Sequence, residues 1–288
     1  MSLSGMSIPN LCVPFATLLS RLINFPTARQ HAELLRSLVI RDLEAKYSGS
    51  FLGTFWALVH QLSQIAIYTY VFSVILQVKL NISNVPESNF TFGTWLYAGL
   101  LPWNTLVASI THACVSVLNQ PNLVKKVVFP LGLLPLVPVA TAFVESLPGV
   151  VLLILLDFFG DQTIPATLLL LPLIWIPQLL FTTGLSYLLA GLTVFIRDLP
   201  QLVLIVINLW FYLTPLVYPV TVIPNAWRDW VFWLNPVAAI AEVYRELLIV
   251  GSVTRLSEWL FFSGISVLLF ILGWKTYRAL RSSFSDVL

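Results

Sequence analysis

Trp56, His60, Gln64 and Tyr68 stand four apart, with Ser63 beside them. On a helix this spacing gathers them on one face. Aromatic faces suit the C–H groups of sugar rings and amides suit hydroxyls, so the stripe is read as lining a path for a sugar polymer. A second reading stays open beside it: Gln and His side chains can join helices to one another, at about 0.6–2 kcal/mol per hydrogen bond. Glu145 joins the same path set. It lies within the apolar run from Leu131 to Leu156, where an ionisable group is costly and by default functional. The alternative for Glu145 is a protonated side chain bonded to a neighbouring helix near Pro148.

Other chemistries lack their residues. There is no G-x-x-x-x-G-K-[ST] loop in the chain, so ATP hydrolysis is not expected of it. The three histidines, His31, His60 and His112, are isolated, and Cys12 and Cys114 form no C-x-x-C pair. No metal site, disulfide framework or catalytic residue is assigned. A membrane-embedded glycosyl or polyprenyl transferase is the alternative from another class. Such an enzyme needs several carboxylates to hold a metal and a diphosphate, and Glu145 alone sits clearly within an apolar run.

The elements that must carry these side chains follow from composition. The chain has 288 residues, 58% hydrophobic and 10% charged, with a mean hydropathy of +0.89. Soluble domains are about 45–50% apolar and about 25% charged, so an all-α integral membrane protein is expected. The net charge of +2 indicates no general affinity for polyanions, nucleic acid included. Residues 1–26 show no period and are read as a loose cytoplasmic lead without a cleaved signal peptide. A helix is expected over residues 27–46, with Gln30, Glu33, Ser37, Arg41 and Glu44 on one face and Leu34, Leu35, Leu38, Val39 and Leu43 on another. That division suits a helix lying in the membrane interface.

Residues 47–275 are expected to hold six spans: Tyr47 to Val78, Thr94 to Leu118, Leu131 to Leu156, Pro165 to Ile196, Leu199 to Val217 and Leu256 to Trp274. Residues 276–288 are expected to form a cytoplasmic tail. The loop from Lys79 to Thr91 contains two glycosylation sequons at Asn81 and Asn89, a pattern that chance often produces. A polar turn is expected from Asp157 to Gln162, and Gly49-x-x-x-Gly53 is a weak candidate for close helix contact. Thr214-Pro215 and Tyr218-Pro219 should break the fifth helix. Counting Ala226–Val250 as a span would put five charged residues, from Arg228 to Glu246, in lipid at about 2.5–3.5 kcal/mol each. The segment is read instead as a re-entrant helical hairpin at the outer face, covered by protein or water.

The cations set the orientation. With the N-terminus inside, the inner segments hold Arg21, Arg29, Arg36, Arg41, Lys46, Lys125, Lys126, Arg197, Lys275, Arg278 and Arg281. The outer ones hold Lys79, Arg228, Arg245 and Arg255. Eleven against four is a positive-inside bias with both ends cytoplasmic. Lys125-Lys126 fits contact with a partner or anionic lipid, and equally fits topology alone.

A resemblance rests on motifs from about residue 30 onward. Arg41-Asp42-x4-Tyr47-x5-Gly53-x2-Trp56, Gly99-Leu-Leu-Pro102-Trp103 and Asn119-x2-Asn122-Leu-Val-Lys125-Lys126-Val-Val-Phe129-Pro130 come in that order. Arg197-Asp198, Thr214-Pro215-x2-Tyr218-Pro219, Ile223-Pro224, Asn235-Pro236 and Tyr244-Arg245-x5-Gly251 follow. Together they resemble the permease subunits of polysaccharide-exporting ABC transporters, which handle O-antigen, capsule and teichoic acid polymers on lipid carriers. The resemblance implies a homodimer in the bacterial inner membrane, with two separate P-loop ATPase subunits that bind ATP and Mg. It implies contact with the ATPases through residues 27–46 and 119–130, hence Arg41, Asn119, Asn122, Lys125 and Lys126. It implies a pair of outer gate helices from Trp227 to Arg245, with Tyr218, Trp227, Trp230, Asn235, Tyr244 and Arg245 at the gate. The substrate would be a lipid-linked polysaccharide. A permease for drugs or small lipids is the rival within transport.

Overall fold

The computed structural model describes residues 26–53, 55–77, 91–126, 129–161 and 165–288. The sequons at Asn81 and Asn89, and nearly all of the expected lead, lie outside them. Among the described residues every regular element is helical. The first helix, α1, is Pro26–Tyr47. Its apolar residues Leu34, Leu35, Leu38, Val39 and Leu43 are buried or half-buried, and Gln30, Glu33, Ser37, Arg41 and Glu44 are exposed. The buried stripe packs on α5, Leu136–Asp161.

The first apolar helix starts later than the hydropathy suggests. α2 is Phe55–Tyr68, continued by a π-helical segment over Thr69–Ile75. Gly49 and Gly53 have φ of +76° and +54°, with open space where a Cβ would stand. They turn the chain out of α1, so the expected helix contact through them is corrected: left-handed backbone favours glycine in a turn.

The centre of the bundle is α3, Thr91–Val115. It packs against α2 and α5, against α6 (Leu171–Thr193) and α7 (Leu199–Leu213), and against α9 (Pro236–Arg245). Leu96, Tyr97 and Ala98 are fully buried. Its hydroxyls return to their own helix: Thr105 Oγ1 donates to Leu101 O at 2.8 Å and Ser109 Oγ to Thr105 O at 2.6 Å. Such back-bonding satisfies a hydroxyl where no water reaches.

After α3 come the short α4, Pro121–Lys126, a 3-10 turn at Leu131–Leu133, and α5. α5 continues to Asp161, so residues 157–161 extend the helix rather than turn it. α6 is preceded by a 3-10 segment, Ala166–Leu170. It packs most closely with α10, Leu256–Leu280. A Cβ at Gly184 would stand 2.7 Å from the backbone of Leu269, and one at Gly273 would collide with the carbonyl of Gly184. These small residues allow the two helices to touch along their backbones, as apolar helices associating without hydrophobic drive require.

Among the described residues four segments are long and apolar enough to cross a membrane: Phe55–Ile75, Leu131–Leu156, Ala166–Thr193 and Leu256–Val287. Several apolar helices of this kind in one chain suit a multi-pass membrane protein, its regular elements all helical among the described residues. The other two expected spans differ from these for physical reasons. α3 has 25 residues but carries the polar side chains of Asn104, Thr105, Ser109, Thr111 and His112 along its length. α7 has 15 residues, about 22 Å at 1.5 Å per residue, and it ends at Leu213 because Thr214 is extended before Pro215.

The hairpin between α7 and α10 is formed by α8, Asn225–Leu234, and α9. Asn235 caps α9, its Oδ1 accepting from the backbone N–H groups of Val237 and Ala238, and Pro236 follows at the first helical position. A π-helical segment, Glu246–Val250, ends at Gly251, whose φ of +71° supplies the left-handed stop. The last short helix, α11, is Phe284–Val287.

Candidate functional site

α1 and α2 lean over α3 and α5, and two adjoining cavities open between them. The larger, of about 560 Å3, is lined by Arg41, Asp42, Lys46, His112, Asn119, Thr141 and Glu145 among others. The smaller, of about 390 Å3, is lined by Lys46, Tyr47, Trp56, His60, Gln61, Asn104 and Glu145 among others. Lys46 and Glu145 belong to both.

Glu145 is not a lone intramembrane acid. Lys46 Nζ lies 2.7 Å from its Oε2, and Tyr47 Oη donates to its Oε1 at 2.8 Å. The carboxylate is 15% exposed and the lysine 44%. Burial, and then the bond to Glu145, raise the Tyr47 phenol above its usual range, so it remains a donor at neutral pH. The two side chains form an ion pair that joins the end of α1 to α5. One turn earlier on α5, Thr141 Oγ1 donates to Asp42 Oδ2 at 2.8 Å, a second tie between the same helices.

The stripe on α2 divides. Trp56 and His60 line the smaller cavity with Glu145. Gln64 accepts from Asn104 Nδ2 on α3 at 3.0 Å, and Tyr68 packs against the core. Gln61, outside the stripe, is the polar contact the spacing did not indicate. Its Nε2 donates to the Glu145 carbonyl at 3.3 Å and its Oε1 accepts from Tyr97 Oη. A residue one position off a regular pattern is visible only once its neighbours are placed.

Of the residues expected to couple to ATPases, Arg41 and Asn119 line the larger cavity, while Asn122 and Lys125 are exposed on α4 and Lys126 closes that helix. The 3-10 turn that follows, Leu131–Leu133, is tied to the core by residues that sequence patterning did not single out. Tyr187 Oη donates to Gly132 O at 2.9 Å and Tyr277 Oη to Leu131 O at 2.8 Å. Val117, Tyr187, Val194, Tyr277 and Phe284 form one buried cluster there, with Leu123, Val124 and Phe129 against it.

The gate residues separate by exposure. Trp227 and Trp230 on α8 are exposed, and Tyr218 is half-buried, donating to Tyr212 O at 3.1 Å. Asn235, Tyr244 and Arg245 are buried. Asn235 accepts from Trp210 Nε1 at 2.9 Å and donates to Thr214 Oγ1 at 2.8 Å. Tyr244 Oη donates to Gln178 Oε1 at 2.6 Å. Arg245 donates to the carbonyls of Trp95 (3.2 Å), Pro215 (2.9 Å) and Leu216 (2.7 Å) and to Glu242 (3.0 Å). A buried guanidinium requires this degree of compensation. These bonds hold α9 to α3 and to the end of α7, whereas α8 turns its tryptophans outward.

Comparison with known proteins agrees with this arrangement. Residues 33–249 match the family described as ABC-2 type transporter. An O-antigen export system permease protein, RfbA, of Myxococcus xanthus is 31% identical over 261 residues, covering 89% of this chain and 96% of that protein. A protein of the same name from Klebsiella pneumoniae is 30% identical over 260 residues, covering 89% and 95%. A helical bundle with this match over most of its length is a membrane permease, and the chain belongs to the ABC-2 type transporter family.

Proposed function

We propose that this chain is the membrane-spanning subunit of an ATP-driven exporter that moves a lipid-linked polysaccharide of the O-antigen kind across the bacterial inner membrane. One observation carries the reading: the similarity runs nearly end to end through permeases named for O-antigen export. The family implies an ATPase partner. In the proposed assembly two copies of the chain form a homodimer over two P-loop ATPase subunits, which bind ATP and Mg. The six spans are α2, α3, α5, α6, α7 and α10, with both termini cytoplasmic, α1 in the inner interface and the α8–α9 hairpin at the outer face.

The groove supplies the physical account. ATPase closure presses on α1 and α4. The Lys46–Glu145 pair and the Asp42–Thr141 bond carry displacement of α1 to α5. Exposed apolar side chains on α2 with its π-helical continuation and on α7, Ile67 and Tyr70 on one and Ile205 and Leu209 on the other, suit lipid or a second copy. Trp56 and His60 then face the polymer. Because α9 is pinned by Arg245 and Asn235, the outer movement falls to α8 and its tryptophans.

The test is complementation. A bacterium deleted for its own O-antigen export permease, supplied with this chain and its ATPase, should display polymer at the cell surface. Polymer retained on the cytoplasmic face, with the chain present in the membrane, overturns the substrate class. Activity of the chain alone in proteoliposomes overturns the permease role in favour of a transferase.

A further inference from the structure

Trp227, Trp230 and Leu234 stand three and four apart on α8, so they share one face of the helix, and all three are exposed. Across the helix Phe232 is fully buried and packs with Val220 and Ala238. α8 is thus fixed to the protein by its lesser aromatic face and leaves the greater one bare. A bare apolar face of this kind meets lipid or another macromolecule.

Its neighbour decides between them. The ring of Trp233 meets that of Phe261 on α10 edge to face, with centroids 4.8 Å apart. Phe261 belongs to an exposed apolar flank of α10 that includes Leu256, Leu260, Leu268 and Ile271. That helix is apolar enough to cross a membrane, so its uncovered flank suits lipid, and the tryptophan face runs into it. α10 also carries a mark of depth. Arg255 and Glu258 pair at 3.3 Å at its start, and the Arg255 guanidinium lies 3.9 Å from the Phe232 ring centroid. Phe261 comes three residues after Glu258, about 4.5 Å further along the axis at 1.5 Å per residue. α8 therefore lies between a level of charges and the first apolar turn of a spanning helix. This is the depth at which tryptophan is enriched, where the indole N–H meets headgroups and the ring meets acyl chains.

We propose that α8 is anchored in phospholipid, with Trp227, Trp230 and Trp233 seated in the headgroup layer. That this layer belongs to the outer leaflet rests on the permease reading above. The two arms of the hairpin then differ in what holds them. α9 is held by protein, through Arg245 and Asn235, and α8 by the membrane. Lifting α8 outward would expose its apolar face to water, whereas a sideways slide leaves the surroundings of its tryptophans unchanged. Movement of the hairpin is accordingly a slide of α8 along the bilayer surface.

The experiment places the full chain in phosphatidylcholine proteoliposomes, with and without bromine on the acyl chains near the headgroup. Trp227→Phe combined with Trp230→Phe keeps an aromatic ring at each position. The emission that this pair of substitutions removes should be quenched about threefold or more strongly by the brominated lipid than by aqueous iodide. Leu234→Trp, which adds an indole to the same face, should add emission with the same preference, and Leu260→Trp on the flank of α10 sets the full response to lipid. Preference for iodide overturns the anchor and leaves the face to water and to the polymer. Quenching by neither reagent overturns it as well, because protein then covers the face, as a second copy would. Depth is read in whichever leaflet α8 occupies, so failure of the permease reading, seen by complementation, is a separate outcome.

Discussion

The guanidinium of Arg245 occupies the space that a side chain at position 99 would need: a Cβ on Gly99 would stand 2.5 Å from Nη2. The group also lies 3.6 Å from the Trp95 ring centroid. Held by three backbone carbonyls, it cannot retreat. Gly99→Ala should therefore cost about 1–3 kcal/mol by overpacking. Arg245→Ala strips donors from the carbonyls of Pro215 and Leu216, which lie outside a helix and are each worth about 1–3 kcal/mol when left bare, and should cost more. In the double variant the losses should be less than additive, because the methyl group added by Gly99→Ala fits where the guanidinium was. Thermal unfolding in detergent reads all three, and an Arg245→Ala protein that melts with the wild type would refute the anchor.

The contact between Gly184 and Gly273 makes a second prediction. Their backbones approach so closely that neither position has room for a Cβ. Gly273→Leu should separate α6 from α10, the pair on which the buried Tyr187 and Tyr277 depend. Loss of the monodisperse peak in size-exclusion chromatography is expected. By contrast Gly264→Ala on the same helix, where nothing lies within 4 Å, should elute normally. Equal behaviour of the two would mean that the crossing tolerates a wider spacing.

What could be seen in the sequence was local. The two faces of α1 follow from a 3.6-residue period, and the end of α7 follows from Thr214-Pro215, so both stand where expected. Pairings across the bundle were not legible. Lys46 and Glu145 are 99 residues apart, and periodicity says which face a residue occupies but not which helix it meets. Gly49 and Gly53 have the spacing of a helix contact, and only their positive φ reveals a turn. Arg245 is placed at an outer gate by the family resemblance, not by any pattern of its own. Its burial against Trp95 shows that half of the α8–α9 hairpin belongs to the core.

The Lys46–Glu145 pair should matter more for movement than for folding. With Lys46 nearly half exposed, water screens the pair and its worth to stability is about 1 kcal/mol or less. Lys46→Ala and Glu145→Gln should each leave expression unchanged yet lower polymer export per ATP hydrolysed. The reciprocal exchange, Lys46→Glu with Glu145→Lys, should recover part of the coupling. Export ratios that ignore all three variants would remove the pair from the transmission path.

The divided stripe on α2 yields the sharpest separation of transport from assembly. Gln64 is committed to Asn104, so Gln64→Leu removes a bond between helices, worth about 0.6–2 kcal/mol, and leaves Asn104 without that partner. It should lower the melting temperature by a few degrees while export per folded molecule stays near normal. Trp56 and His60 face the cavity beside Glu145 and are exposed. Trp56→Ala and His60→Ala remove surface that a sugar ring would contact and support little packing. They should spare the melting temperature and reduce export several-fold, most for the longest polymer. The opposite pattern, a stability loss at Trp56 and an export loss at Gln64, would mean that the conduit runs along α3 rather than along the cavity under α1.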